Sequence, residues 1–344
     1  MTLRSLSELR AAGLLPDQDA PRLDQVAERY AIAITPQVQA LIDAADPQDP
    51  IARQFVPDVA ELHQQAKERP DPIGDSAHMP VEGVVHRYPD RVLLKLLHAC
   101  PVYCRFCFRR EAVGPGGAGM LSGSALQAAL EYIARDTRIW EVILTGGDPL
   151  ALSPRRLGDV MQALAAIAHV KVVRIHTRVP VVDSSRIDDE MLSALHLFPR
   201  ALYVALHANH PRELTAQARE ACARLIDSGV VMVSQTVLLR GINDDAQVLT
   251  DLMRAFVETR IKPYYLHHPD LAPGTGHLRV TIEDGQRLVR QLLGRVSGLC
   301  QPAYVLDIPG GFGKSPIGPA YLQGGGEDYQ IEDFQGGLHR YRDG

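Results

Sequence analysis

Three of the five cysteines fall within eight positions, in the segment HACPVYCRFCFRR, as Cys100, Cys104 and Cys107. The C-x-x-x-C-x-x-C spacing on a loop lets thiolates wrap three corners of an iron–sulfur cubane and leaves the fourth iron open to a ligand. A zinc site of these cysteines with His98 is the alternative, although structural zinc usually takes two separated cysteine pairs. Arg105, Arg109 and Arg110 put charge around the thiols, which inert core cysteines would not have. Farther along, TGGDPL (145–150) offers a tight Gly146-Gly147 turn through which backbone approaches a ligand closely. PGGFGK (309–314) carries a single lysine, Lys314, in a glycine-rich turn. Such a lysine is either a solvated surface group or the amine that pyridoxal phosphate (PLP) requires. A phosphate-binding P-loop is excluded, because its first glycine would fall at Ile308. Arg87, Tyr88 and Arg91 in HRYPDR (86–91) supply guanidinium forks and a hydroxyl suited to phosphate oxygens, or else open a strand at the surface.

These residues need elements to hold them. The chain has 344 residues, 46% apolar and 22% charged, with a net charge of −5. That length buries a sizeable core in one large or two ordinary domains, and the acidic balance excludes a broad nucleic-acid footprint. No apolar run approaches the roughly 18 residues of a membrane span. Charges interrupt MTLRSLSELRAAG, so no secretory signal is expected and the expected location is cytoplasmic. An odd cysteine count in such a chain argues against a disulfide framework.

Residues 1–85 read as a helical, proline-punctuated extension. Beyond it, β-rich runs stand at 92–99, 141–146, 170–177, 201–208, 230–239 and 262–268, and AYVLDI (303–308) adds a seventh. Helical patterns at 124–135, 154–168, 187–197, 211–228, 244–260 and 281–297 alternate with them. Strands nearly continuous in apolar character, recurring about every 30 residues, are those of parallel βα units. The expected fold class is α/β: a partial (β/α)6 TIM-like barrel over 86–300, followed by a C-terminal segment 301–344 that carries Lys314. In such barrels the C-terminal strand ends form the active face. Cys100, Gly146-Gly147-Asp148, His176, His207, Gln235, Asp270 and Asp307 all fall there.

With the cysteine motif after the first barrel strand and Gly-Gly-Asp after the second, the chain resembles the radical S-adenosylmethionine (SAM) enzymes. The resemblance implies a [4Fe-4S] cluster on the three cysteines, SAM on its open iron, and reductive cleavage to a 5′-deoxyadenosyl radical. Gly146, Gly147 and Asp148 match the element that contacts the SAM amino group, and His207 and Gln235 match residues near SAM. A narrower resemblance, to the lysine 2,3-aminomutase family, covers most of the chain. HRYPDR, the cysteine motif with FRR, GGDPL, RIHTR (174–178), LHANHP (206–211), SQTVLLRGIND (234–244), PYYLHHPDL (263–271) and PGGFGK occur in order.

This second resemblance implies an isomerase that moves the 2-amino group of L-lysine to C3, giving β-lysine. It assigns PLP to Lys314, with Arg87, Tyr88 and Arg91 as anchors, and the substrate carboxylate to Arg109. Asp270 and Asp307 match two carboxylates that hold the lysine ε-ammonium, a pair that discriminates against glutamate and neutral side chains. Another amino acid as substrate, or (R)-β-lysine supplied for elongation factor P, are the alternatives within the family. The branch serving the elongation factor often lacks the second aspartate, so Asp307 favours free lysine. The implied partners are the amino acid and a reductant protein such as flavodoxin or ferredoxin, with homo-oligomers in the family; neither nucleic acid nor membrane is expected.

Two departures accompany the resemblance. No Cys-x-Cys-x-x-Cys follows Lys314, so the zinc site of clostridial-type enzymes and their tetramer are not implied, and Cys222 and Cys300 are expected only to pack. Phe312 stands where glycine is more usual in PGGFGK, a change expected to tighten the PLP pocket.

Overall fold

A computed structural model describes residues 1–15, 20–114 and 119–344. The apolar runs form one sheet in sequence order: β1 (Val84–Tyr88), β2 (Arg91–Leu97), β3 (Glu141–Gly146), β4 (Val172–Thr177), β5 (Ala201–His207), β6 (Val231–Val237), β7 (Lys262–His267), β8 (Ala303–Asp307) and β9 (Lys314–Pro316). Strands β2 to β8 are parallel, and β1 and β9 lie antiparallel on the two edges. The expected partial α/β barrel is therefore present, and β8 and β9 carry its sheet on past residue 300. One face of the parallel strands is fully buried, with Val142, Leu144, Val173 and Val204, while the other lines the cavity and carries Thr145, Arg174, His176 and Gln235.

Helices cover the outside at Gly123–Arg135, Pro154–Ala165, Asp189–Leu195, Ala216–Asp227, Ala246–Glu258 and Ile282–Leu292. Each begins after Ser122, Ser153, Asp188, Thr215, Asp245 or Thr281, whose side chain accepts from a free N–H of the first turn. Such a cap stabilises the helix by about 1 kcal/mol. Leu157, Met161 and Leu164, at helical spacing, show which face is buried. The pattern expected at 281–297 stops early, where Gly294 adopts φ +69°. Among the described residues no helix is long and apolar enough to cross a membrane.

HRYPDR forms the turn of a hairpin: Arg87 and Tyr88 end β1, Arg91 opens β2, and Tyr88 pairs directly with Arg91. The N-terminal extension braces the cysteine loop: Tyr103 N donates to Ala33 O (3.2 Å) and Arg105 N to Gln54 O (2.8 Å). Two of the three arginines expected to surround the thiols turn away from them. Arg105 and Arg110 both pair with the fully buried Glu61, so their charge is neutralised in the wall of the fold. Cys222 and Cys300 are buried free thiols, one within a helix and one ending a 3-10 turn. Beyond β9 a separate antiparallel sheet, not anticipated from the sequence, comprises β10 (Leu322–Gly325), β11 (Asp328–Glu332) and β12 (Leu338–Arg342). It is tethered by the Arg290–Glu332 ion pair and by Phe334 against Gly294.

Candidate active site

All fifteen residues singled out for the cluster, SAM, PLP and substrate line one cavity of about 670 Å3 inside the curl of the sheet. The end of β3 fixes the approach to the cysteines. Gly147 N donates to Leu97 O (2.6 Å) and Asp148 N to Ala99 O (3.0 Å), which clamps the chain just before Cys100. A Cβ on Gly146 would stand 2.4 Å from Leu97 O, and one on Gly147 would stand 2.1 Å from Ala99 O. Both glycines are thus required by backbone packing alone, and Gly146 also needs its φ of +115°. Asp148 is committed to the fold: its carboxylate accepts from Thr177 Oγ1 (2.7 Å), Arg178 N (2.7 Å) and Leu150 N (3.1 Å).

Arg178 is the cation of the cysteine loop. Its Nη1 donates to Cys104 Sγ (2.9 Å), while Nη2 donates to Glu213 and Gln54, each at 2.5 Å. Burial pushes all three thiols up, Cys107 to about 11, and only Arg178 acts strongly against this at Cys104. Among the described residues no three His, Cys, Asp or Glu side chains converge as ligands of a single ion.

Asp75 organises the other cations, and nothing in its sequence setting marks it. It accepts from Arg109 Nε (2.9 Å) on one oxygen and from Arg87 Nη2 (3.1 Å) on the other. Burial would raise this carboxyl, but Arg109 first, then Lys95 and Arg87, hold it below its ordinary range. Arg91 instead stacks on the Tyr88 ring at 3.9 Å. The Tyr88 hydroxyl accepts from Lys314 N (2.7 Å), tying the two edge strands together across the open seam.

On β9, Lys314 lies directly opposite Asp307 of β8, and its Nζ reaches Asp307 Oδ1 at 2.7 Å. The other carboxylate oxygen is 3.5 Å from His267 Nδ1. Burial would raise Asp307, yet His267 and Lys314 together hold it far below the usual carboxylate range. Asp270 goes the other way, pushed up to about 7 by burial and then by the Asp307 charge. His176, His207 and His267 line the same cavity with buried Nε2 atoms that have no hydrogen-bond partner. Burial lowers all three, so they are neutral rings at pH 7. Gln235 sits beside His207 in the β5–β6 register. Phe312 does not tighten the pocket; its side chain is 79% exposed and lies outside the cavity.

Residues 94–253 match the radical SAM superfamily. The chain is 38% identical over 320 residues to the L-lysine 2,3-aminomutase of Fusobacterium nucleatum, covering 93% of this chain and 75% of that one. It belongs to the lysine 2,3-aminomutase family of radical SAM enzymes. Within reach of the same comparison is the glutamate 2,3-aminomutase of Clostridioides difficile, 34% identical over 330 residues, with 96% and 78% covered. Family membership therefore establishes a radical SAM aminomutase and leaves the amino acid to be argued. A radical SAM methyltransferase from Sphaerobacter thermophilus shares 20% identity at a TM-score of 0.46, over 65% of this chain and 68% of that one.

The residues present fit the [4Fe-4S] cluster and SAM that a radical SAM aminomutase implies. Three thiols raised by burial on one wall are stable as thiolates only beside bound positive charge, which iron supplies. The unpartnered His207 Nε2 leaves a polar atom on the cavity beside that wall for SAM.

Proposed function

We infer that this aminomutase acts on free L-lysine and yields β-lysine, with PLP carried by Lys314. The observation that supports this most is the acid pair. Asp307 and Asp270 share a buried cavity, one already holding an ammonium and the other lifted for want of one. Such a pair favours a cationic side chain and repels the carboxylate of glutamate. The donors also suit PLP: the Lys314 amine borders the cavity, and Tyr88, Arg91 and Arg87, whose Nε is buried and unpartnered, supply a phosphate cradle.

When bound, the cluster with SAM supplies a carbon radical and PLP supplies a π-system that spreads the unpaired electron. The chain binds and orients. Arg109 turns its fork from Asp75 to the substrate carboxylate, a change of one carboxylate partner for another. Asp307 holds the side-chain ammonium, and Asp270 ionises as that charge arrives. The neutral His176 and His207 add no competing cation, and the curled sheet keeps water from a reactive intermediate. In this account the electron comes from a cytoplasmic reductant protein such as flavodoxin or ferredoxin.

The test is anaerobic reconstitution with iron, sulfide and PLP, then incubation with SAM, reductant and either L-lysine or L-glutamate. β-Lysine is the expected product, and borohydride should fix PLP on the peptide containing Lys314. β-Glutamate instead, from protein holding both cofactors, would sink the substrate assignment.

A further inference from the structure

His267 is given no part in binding lysine or PLP, yet it is buried in the cavity wall against Asp307. It ends β7, is 7% exposed, and its ring meets Tyr265 edge-on at 5.5 Å. Its Nδ1 lies 3.5 Å from Asp307 Oδ2, so the neutral tautomer that carries the proton on Nδ1 faces the carboxylate, and its Nε2 is buried without a partner. Asp307 therefore sits between two donors, His267 on one oxygen and Lys314 Nζ on the other. The second acid, Asp270, lies three positions beyond His267 on the same strand exit. The group that this constellation surrounds is a primary alkylammonium, and the protein places one of its own there. The β8–β9 register makes this unavoidable, because Asp307 and Lys314 are direct cross-strand partners.

We propose that Asp307, Asp270 and the positioning residue His267 form a primary-ammonium subsite that Lys314 fills with its own Nζ until PLP claims that amine. A ligand's side-chain ammonium then enters only after the cofactor is loaded. This rests on the assignment of PLP to Lys314, and not on lysine being the substrate. Loading removes the internal occupant by ordinary chemistry. The ammonium gives its proton to solvent, and the free amine condenses with the aldehyde. One C=N bond forms, and one water leaves with the aldehyde oxygen and the two remaining amine hydrogens. No electrons are transferred. Asp307 loses its ammonium partner and keeps His267, which holds the carboxylate ionised and aimed for the incoming cation.

The subsite can be titrated without turnover, using n-butylammonium chloride as the probe and calorimetry as the readout. PLP-free wild type should bind the probe weakly. Loading with PLP, or emptying the subsite by Lys314→Ala, should strengthen binding by about tenfold or more. In the Lys314→Ala background, His267→Ala should reverse most of that gain, and His267→Asn, which keeps an N–H donor near Nδ1, should restore it. Equal affinity in PLP-free and PLP-loaded wild type overturns the proposal, and this arm needs no variant to fold. Indifference to His267→Ala in a well-folded Lys314→Ala protein overturns the positioning role. If n-butylammonium behaves as expected while L-lysine is not converted, the subsite stands and the substrate assignment falls. Conversion of L-lysine with no gain in probe binding on loading leaves the substrate assignment intact and removes the internal occupant.

Discussion

Asp270 carries a cost that a ligand would relieve. Its carboxyl stands near 7 in the fold, against an ordinary value of about 3.9 when unfolded. The folded state thus holds the proton more tightly, so the acid does not weaken the fold at low pH. Its penalty grows as pH rises from about 4 and levels off above 7. Asp270→Asn removes that penalty. In cofactor-free protein it should add about 1–2 kcal/mol at pH 8, less than a three-unit shift implies because the cavity admits water until cofactors and substrate fill it. Thermal melts at pH 5 and pH 8 check this: the gain should be larger at pH 8, and a gain unchanged between them would contradict the argument. Asp75, Glu61 and Asp307 have the opposite sign, since the fold lowers each of them. Their contribution is present above the ordinary carboxylate range and is lost as pH falls through their depressed values.

At the scale of elements, the two antiparallel edges close the active site without closing the barrel. The Tyr88 hydroxyl on β1 holds the Lys314 backbone on β9, and Gly74 packs against Gly310 and Gly311 so tightly that a Cβ would stand 2.5 Å from Gly311 N. Tyr88→Phe should leave global stability within about 1 kcal/mol, the worth of one hydrogen bond. It should nevertheless speed amide exchange across residues 308–316 and weaken PLP binding severalfold. Exchange confined to wild-type rates would show that other contacts hold the seam. These edges were the part of the fold hardest to see in the sequence. Strands β2 to β8 announce themselves because one face is fully buried and much of the cavity face is apolar as well, so each run is mostly apolar. A three-residue strand such as β9, or the exposed β10 to β12, carries no such signal. The motif residues were legible because their chemistry is local. Asp75 and His267 were not, because what they do depends on partners 34 and 40 positions away.

Across the whole molecule, the parts differ in how much the site relies on them. The β10–β12 sheet exposes Leu322, Leu338 and Tyr341 and contributes no residue to the cavity. Removal of residues 321–344 should lower Tm by no more than about 3 °C and leave iron and PLP loading unchanged. A truncated protein that loses iron would reveal a dependence that its contacts do not show. The N-terminal extension is the reverse case, because Gln54 links Arg178, Glu213 and Asn209 behind Cys104. That brace has a consequence in time. Gln54 and Glu213 are 159 positions apart, so a ribosome adding roughly 5–20 residues per second makes the second partner roughly ten to thirty seconds after the first. Cys100, Cys104 and Cys107 emerge within that interval, before Arg178 and Glu213 exist to cover them. Newborn thiols then stand open on the nascent chain until the partners that wall them in have been made.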